Sequence, residues 1–417
     1  MDLISLIVLC LTLVIAFVFK LNSGLVAIAV SMILALIVGI PEKFLISSFN
    51  NSLFLMLLGV MYLFSIAQEN KTLELLSKKM FSLCKGNAKA LPIVIFFVPA
   101  IISAIGPGLI SVTALVSVLI VSLAKEMDTP AIRLVPFGML GAFAGGLSTI
   151  TPSGIVALNL AKENGINGLG SSMPWKMALT CFIYAVILYF FVFKWHKEKK
   201  KSLPVNNENT SETIPPFSSK QIITLIGILV VAIVSSVFKL NVGLTSFVVA
   251  VILTLLKVAD EGVALKKAPW NTLIMITGVG ILISLVTELG GIDLLSSTLS
   301  KLSTTKTVAA MMALLSGVMS WFSSASGVVM PTLIPTVPDM VQSVQGANAV
   351  ELVNCIAIGA NMAALSPLSS CGALMLAAYS SSENVTPKER NKMFLNLFIL
   401  SACALLLTGI CALIGLY

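Results

Sequence analysis

The sequence predicts an all-α polytopic membrane protein made of two inverted repeats. Three observations carry that expectation. Of the 417 residues, 57% are apolar and only 11% charged, and the mean hydropathy is +1.03; no soluble globular domain has this balance. Apolar segments of crossing length recur along the whole chain. The second half also restarts the text of the first: Phe19-Lys-Leu-Asn-Ser-Gly-Leu25 returns as Phe238-Lys-Leu-Asn-Val-Gly-Leu244, 219 positions later.

Taken in order, the first apolar segment is Leu3–Phe19. No basic region precedes it and no small-residue cleavage site follows, so it reads as a retained helix rather than a signal peptide. Gly24–Ile40, Ser52–Ala67, Leu91–Ala124, Val135–Ala161 and Met177–Phe193 follow. Lys194–Lys220 then runs KWHKEKKK into a Pro/Asn/Ser/Glu stretch, the composition of a solvated linker. Beyond it the pattern resumes with Ile222–Phe238, Val242–Leu256, Thr272–Val286, Val308–Val341, Leu352–Ala378 and Phe394–Leu416. The expected division is residues 1–193, a cytoplasmic linker at 194–220, and residues 221–417. Asn51-Ser-Leu recurs as Asn271-Thr-Leu273, and Gly141–Ala157 recurs around Gly359–Ala373.

Leu91–Ala124 is too long for one crossing and too short for two with a turn, since about 20 residues span the hydrocarbon. It reads as a re-entrant hairpin with its tip at Ser103-Ala-Ile-Gly-Pro-Gly108. Its mate is Val308–Val341, with the tip at Ser323-Ser-Ala-Ser-Gly327 and a second arm made irregular by Pro331, Pro335 and Pro338. Each half then has five crossings and one hairpin. Five is odd, so the halves take opposite orientations. With the linker inside, twenty of the 26 lysines and arginines fall on the inner side, all but Lys43, Lys162, Lys176, Lys239, Lys301 and Lys306. That distribution places both termini outside. Short loops and compact size suit a cell inner (plasma) membrane. Thr72–Cys84 and Gly291–Leu302 read as helices lying at the interface or as plain loop helices, and Trp175, Trp195 and Trp270 sit at segment ends.

The net charge of +8 sits in the loops, so composition points away from nucleic acid. The seven cysteines show no metal spacing, the single histidine, His196, lies in the linker, and no acid, base or metal-ligand constellation for an enzyme is visible. The chemistry concentrates instead where helices cannot stay regular. Gly145-Gly146, Pro152 and Gly154 interrupt the fifth apolar run, with Ser148, Thr149, Thr151 and Ser153 between them. A matching break is expected at Ser366–Gly372. Such breaks supply carbonyls, hydroxyls and half-helix termini. Each hairpin tip is expected to face its own half's break. The candidate substrate ligands are Ser103, Gly106, Pro107, Gly108, Ser153, Gly154, Ser323, Ser324, Thr332, Asn361, Ser370 and Gly372. The candidate sodium ligands are Ser148, Thr149, Thr151, Ser326, Gly327, Ser366 and Ser369. No ionisable side chain lies at mid-membrane depth in these clusters, which favours sodium over a proton relay as the coupling ion. No other cofactor is expected. Half-helix N-termini and hydroxyls suit a small organic anion, most simply a carboxylate. Asn159 stands near the first break, while Glu69, Glu288 and Glu351 stand near segment ends.

Two inverted five-helix repeats, each with a hairpin and a following broken helix, resemble the ion transporter superfamily, which includes the divalent anion/sodium symporters. Gly106-Pro-Gly108, Ser323-Ser-Ala-Ser-Gly-Val-Val-Met-Pro331 and Ser366-Pro-Leu-Ser-Ser-Cys-Gly-Ala-Leu374 look most like its malonate/dicarboxylate carrier branch. The symporters' Ser-Asn-Thr tip signature is absent. The resemblance covers nearly the whole chain outside the linker. It implies sodium-coupled symport of di- or monocarboxylates such as malonate or succinate, a homodimer, and an elevator motion of hairpins and broken helices against a scaffold. Two alternatives stand beside it: a membrane subunit fed by a separate binding protein, and a proton-coupled anion carrier. An anion channel is a further rival.

Overall fold

The computed structural model describes residues 1–82, 91–126, 130–193, 215–238, 240–380 and 385–417. Residues 194–214 of the linker, with Trp195 and His196, lie outside the described residues, as do Cys84 and Lys239. All regular structure among the described residues is helical. The first half contains α1 (Asp2–Val18), α2 (Ser23–Val38), α3 (Glu42–Ser47), α4 (Asn51–Glu69), α5 (Thr72–Ser82), α6 (Leu91–Ala104), α7 (Gly108–Glu126), α8 (Val135–Gly145), α9 (Pro152–Glu163) and α10 (Leu169–Leu188). The second contains α11 (Ser219–Val237), α12 (Val242–Leu255), α13 (Glu261–Lys267), α14 (Trp270–Glu288), α15 (Gly291–Lys301), α16 (Val308–Phe322), α17 (Met330–Leu333), α18 (Val337–Ser343), α19 (Ala349–Met362), α20 (Ser370–Ser380) and α21 (Pro387–Leu413).

Both long apolar runs split where the sequence carries small residues and proline. Leu91–Ala124 divides into α6 and α7. Val308–Val341 divides into α16 and an arm at Ala325–Ser343 that bends away by 118°. That second arm is irregular, as its prolines require. It opens as a π turn at Ala325–Val329, continues as α17, tightens to a 3-10 turn at Ile334–Thr336 and ends as α18. Proline lacks a donor and clashes with the preceding turn, so a straight α-helix through Pro331, Pro335 and Pro338 is barred. The expected interfacial segments form α5 and α15, helices of 11 residues each.

The expected crossings are shorter than anticipated. Five helical stretches among the described residues are long and apolar enough to cross a bilayer, or six if the bent pair counts as one. The other apolar helices have 10–17 residues. α12, with 14 residues, rises about 21 Å against a hydrocarbon core of about 30 Å.

The halves interlock through their second and fourth helices: α2 packs on α14, and α12 packs on α4. Both contacts are backbone to backbone. A Cβ at Gly24 would overlap the Ile274 carbonyl, and one at Gly278 would overlap Gly24. A Cβ at Gly243 would overlap Met56 backbone, and one at Gly59 would overlap the Gly243 carbonyl. Gly24 and Gly243 are 219 positions apart, and so are Gly59 and Gly278. This register corrects one alignment made from the sequence: Asn271 matches Ser52, not Asn51. The Asn271 carbonyl instead accepts Asn22 Nδ2 at 2.8 Å, while Asn22 Oδ1 caps α2 at Gly24 N.

α8 is buried at every residue, and α19 is buried from Leu352 to Met362. A helix apolar all round belongs in the centre. Gly141 brings α8 onto the Phe96 carbonyl of α6, and Gly359 brings α19 onto the Ala313 carbonyl of α16. Large apolar side chains on α1, α2, α11 and α12 point outward, among them Leu3, Ile7, Leu36, Ile37, Ile226, Val248 and Leu255. In water such a surface would aggregate; in lipid it is solvated.

α14 supplies its own control for the interlock. We expect Gly278→Ala to lower the thermal stability of the detergent-purified protein by several degrees, since overpacking costs about 1–3 kcal/mol. Gly280→Ala, two residues on with nothing within 4 Å of its added carbon, is expected to leave stability unchanged. Equal melting curves for the two variants would refute this account of the α2–α14 contact.

Candidate functional site

The first break is built by one side chain. Thr151 is extended (ψ 154°), and Pro152 starts α9 at the position where a missing N–H costs nothing. The Thr151 hydroxyl donates to a pair of carbonyls, Gly146 O and Ser148 O, each at 2.7 Å. It also accepts from Gly154 N at 3.3 Å. The second break repeats this 218 positions later: the Ser369 hydroxyl lies 2.7 Å from both Ala364 O and Ser366 O. Cβ atoms at Gly154 and Gly372 would overlap the Ser148 and Ser366 carbonyls respectively. Only glycine lets each new helix start this close to the end of the old one.

The hairpin tips are built differently from each other. At the first, Gly106 (φ +146°) and Gly108 (φ +76°) take backbone conformations that L side chains rarely adopt. A Cβ at Gly106 would strike the Phe64 ring, and one at Gly108 would lie 3.0 Å from Pro152 Cδ. Ser103, just before the tip, is fully buried, and its hydroxyl has no partner. At the second tip the Ser323 hydroxyl bonds back to Met319 O at 2.7 Å, and Ser324 Oγ accepts from Gly327 N at 3.1 Å. Gly327 lies against the Met275 side chain, and the Thr332 hydroxyl bonds Val328 O at 2.8 Å.

A cavity of about 250 Å³ joins these parts. Its buried lining, the deep end, includes Gly106, Pro107 and Gly108 of the first tip, Ser153 of the first break beside the half-buried Pro152, and Ser326 of the second tip. α4 forms one wall with Met61, Phe64, Ser65 and Gln68, and Glu74, Lys267, Pro269 and Thr272 stand toward the mouth. Three helical segments therefore begin at one place: α7 at Gly108, α9 at Pro152 and the second hairpin's arm at Ala325. Helix N-termini leave backbone N–H groups without helical partners and carry partial positive charge; here Thr151 takes Gly154 N and Ser324 takes Gly327 N. An anion is the complementary ligand, and no charged side chain at the deep end competes with it.

The structure gathers some of the nominated residues and disperses others. Gly106, Pro107, Gly108, Ser153 and Ser326 line the cavity. Thr149 and Ser370 are exposed. Ser366, Ser369, Gly372 and Asn361 belong to the second break, outside the lining. Asn361 donates to Ala357 O at 2.7 Å and keeps a buried Oδ1 without a partner. Asn159 donates to Ile155 O at 3.1 Å and toward Met56 Sδ. The expectation that each tip faces its own half's break holds for the first tip, at Gly108 and Pro152. For the second tip the packing is divided: the Ala325–Val329 turn packs against α14, and against both α9 and its own half's α19, while α20 packs along α7. α9 and α20 have 12 and 11 residues, too short to bury their flanks alone, and each is covered by the other half's hairpin arm. Sequence reasoning missed the α4 wall, although Ser65 and Gln68 at i, i+3 on an apolar helix are a visible polar stripe. It also missed Lys267 and Thr272, which come from the other half.

Interrupted apolar helices and folded-back arms around a cavity with an uncharged deep end define a polytopic membrane transporter. The comparisons agree. The citrate transporter family (CitMHS) matches residues 13–359, and the chain belongs to that family. It shares its fold with the crystal structure of the Alcanivorax borkumensis YdaH transporter, described as having an unusual topology. The TM-score is 0.61 at 12% identity, over 89% of this chain and 86% of that one. No curated protein matches the chain.

The breaks yield a prediction. Gly154→Ala and Gly372→Ala are each expected to cost about 1–3 kcal/mol of stability and to reduce uptake of the substrate more than the amount of folded protein. Wild-type uptake by both variants would show that the close approach at the breaks is dispensable.

Proposed function

We propose that the protein is a secondary active transporter of small di- and tricarboxylates, with malonate, succinate and citrate as the first candidates, driven by sodium. The observation that carries this reading is the meeting of three helix N-termini at one cavity, with Gly108, Pro152 and Ser326 in its lining. Backbone dipoles bind a carboxylate without a fixed cation, so the empty site need not hold a buried charge. About 250 Å³ suits an acid of a few carbons; drug-sized ligands occupy roughly 300–1,000 Å³. The family's printed description, citrate transporter, supports a carboxylate.

The two halves are read as inverted repeats with re-entrant hairpins. α4 and α14 support this, because they run antiparallel between two cavities. The C-terminal end of α4 and the start of α14 meet at the cavity just described. The start of α4 and the end of α14 meet at a second cavity of about 510 Å³, lined by Ser48, Asn50, Glu163, Ser284, Thr287 and Glu288. The second cavity does not include the tips or breaks. Access from one side at a time is what a carrier requires, and a channel does not have it. The lysine distribution puts Lys267 inside, both termini outside and the present opening toward the cytoplasm. Sodium is preferred over protons because the deep end offers hydroxyl and carbonyl oxygens and nothing that titrates. An elevator motion in a homodimer within the cell membrane completes the proposal.

The test is uptake of labelled citrate, malonate and succinate into proteoliposomes containing only this chain, with sodium, potassium and proton gradients imposed separately. Accumulation that requires inward sodium is expected, with no added binding protein. Gly108→Val, which forces a β-branched side chain into a left-handed backbone beside Pro152, is expected to abolish it. Proton-driven accumulation would overturn the sodium assignment, and uptake that never exceeds equilibrium would overturn active transport.

A further inference from the structure

Lys267, the last residue of α13, is the one cation in the cavity lining among the described residues. Its Nζ is paired with Glu69 Oε2 at the end of α4. Glu69 is not in that lining. It faces an adjoining surface cleft together with Lys220, Lys257, Asp260 and Glu261. The ion pair thus lies in the wall between cavity and cleft, and it joins the two halves of the chain. The side chains are 41% and 22% exposed, so the pair is held weakly and is screened by salt. Lys220 and Lys257 line the same cleft as Glu69.

The opposite cavity shows what is specific here. By the 219-position register, Glu69 corresponds to Glu288, and Lys267 corresponds to Ser48. Glu288 and Ser48 both line the second cavity, and Glu163 joins them, with its Oε1 accepting Asn50 Nδ2 at 2.7 Å. One mouth therefore carries a lysine with a detachable partner. The other carries two carboxylates, and its lining has no lysine or arginine.

We propose that Lys267 is the anion-capture residue of the cavity: its ammonium exchanges Glu69 for a carboxylate of the entering substrate at the mouth, before the three helix N-termini take the anion deeper. This rests on the carboxylate-transport reading. Glu74 lines the same mouth and carries the sign of the substrate, so among the described lining residues Lys267 is the one that attracts a carboxylate. The exchange makes substrate affinity on this side sensitive to ionic strength and gives the two sides of the membrane unequal affinity for the same anion.

The experiment is citrate binding to the full-length, detergent-purified protein, read by thermal shift at fixed sodium with choline chloride varied. Ligand-free melting curves control for folding. Lys267→Gln is expected to weaken citrate binding about five- to tenfold and to flatten its dependence on ionic strength. Lys267→Arg is expected to stay within about twofold of wild type. Glu69→Gln, which frees the ammonium, is expected to tighten binding about two- to threefold, and that gain is expected to vanish in the Glu69→Gln/Lys267→Gln double variant. Equal citrate affinity in wild type and Lys267→Gln would overturn the capture role and leave the transport reading intact. So would a Glu69→Gln variant that binds as weakly as Lys267→Gln, because the pair would then be only structural. A wild type that binds neither citrate, malonate nor succinate would overturn the carboxylate reading itself, and the capture role with it.

Discussion

Everything in this molecule hangs on two places where one half's backbone lies directly on the other's. Gly24 against α14 and Gly243 against α4 set the distance between the halves. Inside a bilayer that distance is not set by the hydrophobic effect, since lipid tails are as apolar as the helices. Association has to come from close packing, and close packing needs residues without side chains. Because the same pair of contacts occurs twice, 219 positions apart, α2, α4, α12 and α14 form one crossed frame. The hairpins and broken helices are held against this frame through Phe64 at the first tip and Met275 at the second.

The frame lets the centre do what an isolated membrane helix cannot, which is to stop and restart. A broken helix exposes carbonyls that have no water to bond, at a cost of several kcal/mol each if nothing answers them. Thr151 and Ser369 answer two carbonyls apiece. Both residues were nominated as cation ligands, and both have their single proton engaged in holding the break together. Their hydroxyl oxygens still have acceptor capacity, so a structural role and a ligand role are compatible. The same economy runs through the second half, where Ser320 bonds Ala360 O, Ser401 bonds Ala363 O, and Trp321 Nε1 bonds Ser401 Oγ. Among the described residues a few buried side-chain atoms stay without a partner, Ser103 Oγ, Thr113 Oγ1 and Asn361 Oδ1 among them.

Features encoded locally were legible in the sequence. Gly145-Gly146 followed by Pro152 can break a helix without help from any neighbour, and Ser103–Gly108 can turn a hairpin. The 219-residue repeat was legible because Asn22 and Asn241 cap the same helix start in each half. Contacts across the halves were not. A repeat states which residues are equivalent and is silent on which residues touch. So the second tip's packing on α9, and α20's packing on α7, could not be read from it. Phe64, Gln68 and Lys267 were missed for the same reason: each is an ordinary residue near a helix end until the glycine frame brings it to the cavity. Thr149 marks the limit in the other direction. It sits in the break by sequence, yet one turn of backbone puts it on the surface.

The two cavities at the ends of α4 and α14 carry the final step. A strict repeat would make them electrostatic copies, and then nothing in the protein would distinguish one side of the membrane from the other. The frame is a near copy, glycine for glycine. The mouths are not: Lys267 stands where the other half has Ser48, and Glu163 adds a second carboxylate to the mouth that lacks the lysine. The glycine contacts between the halves repeat, while the charges at the two cavities do not. The two mouths therefore present different charges: Lys267 and Glu74 at one, Glu163 and Glu288 at the other. The asymmetry lies in a few side chains at the rims and leaves the repeated fold beneath them unchanged.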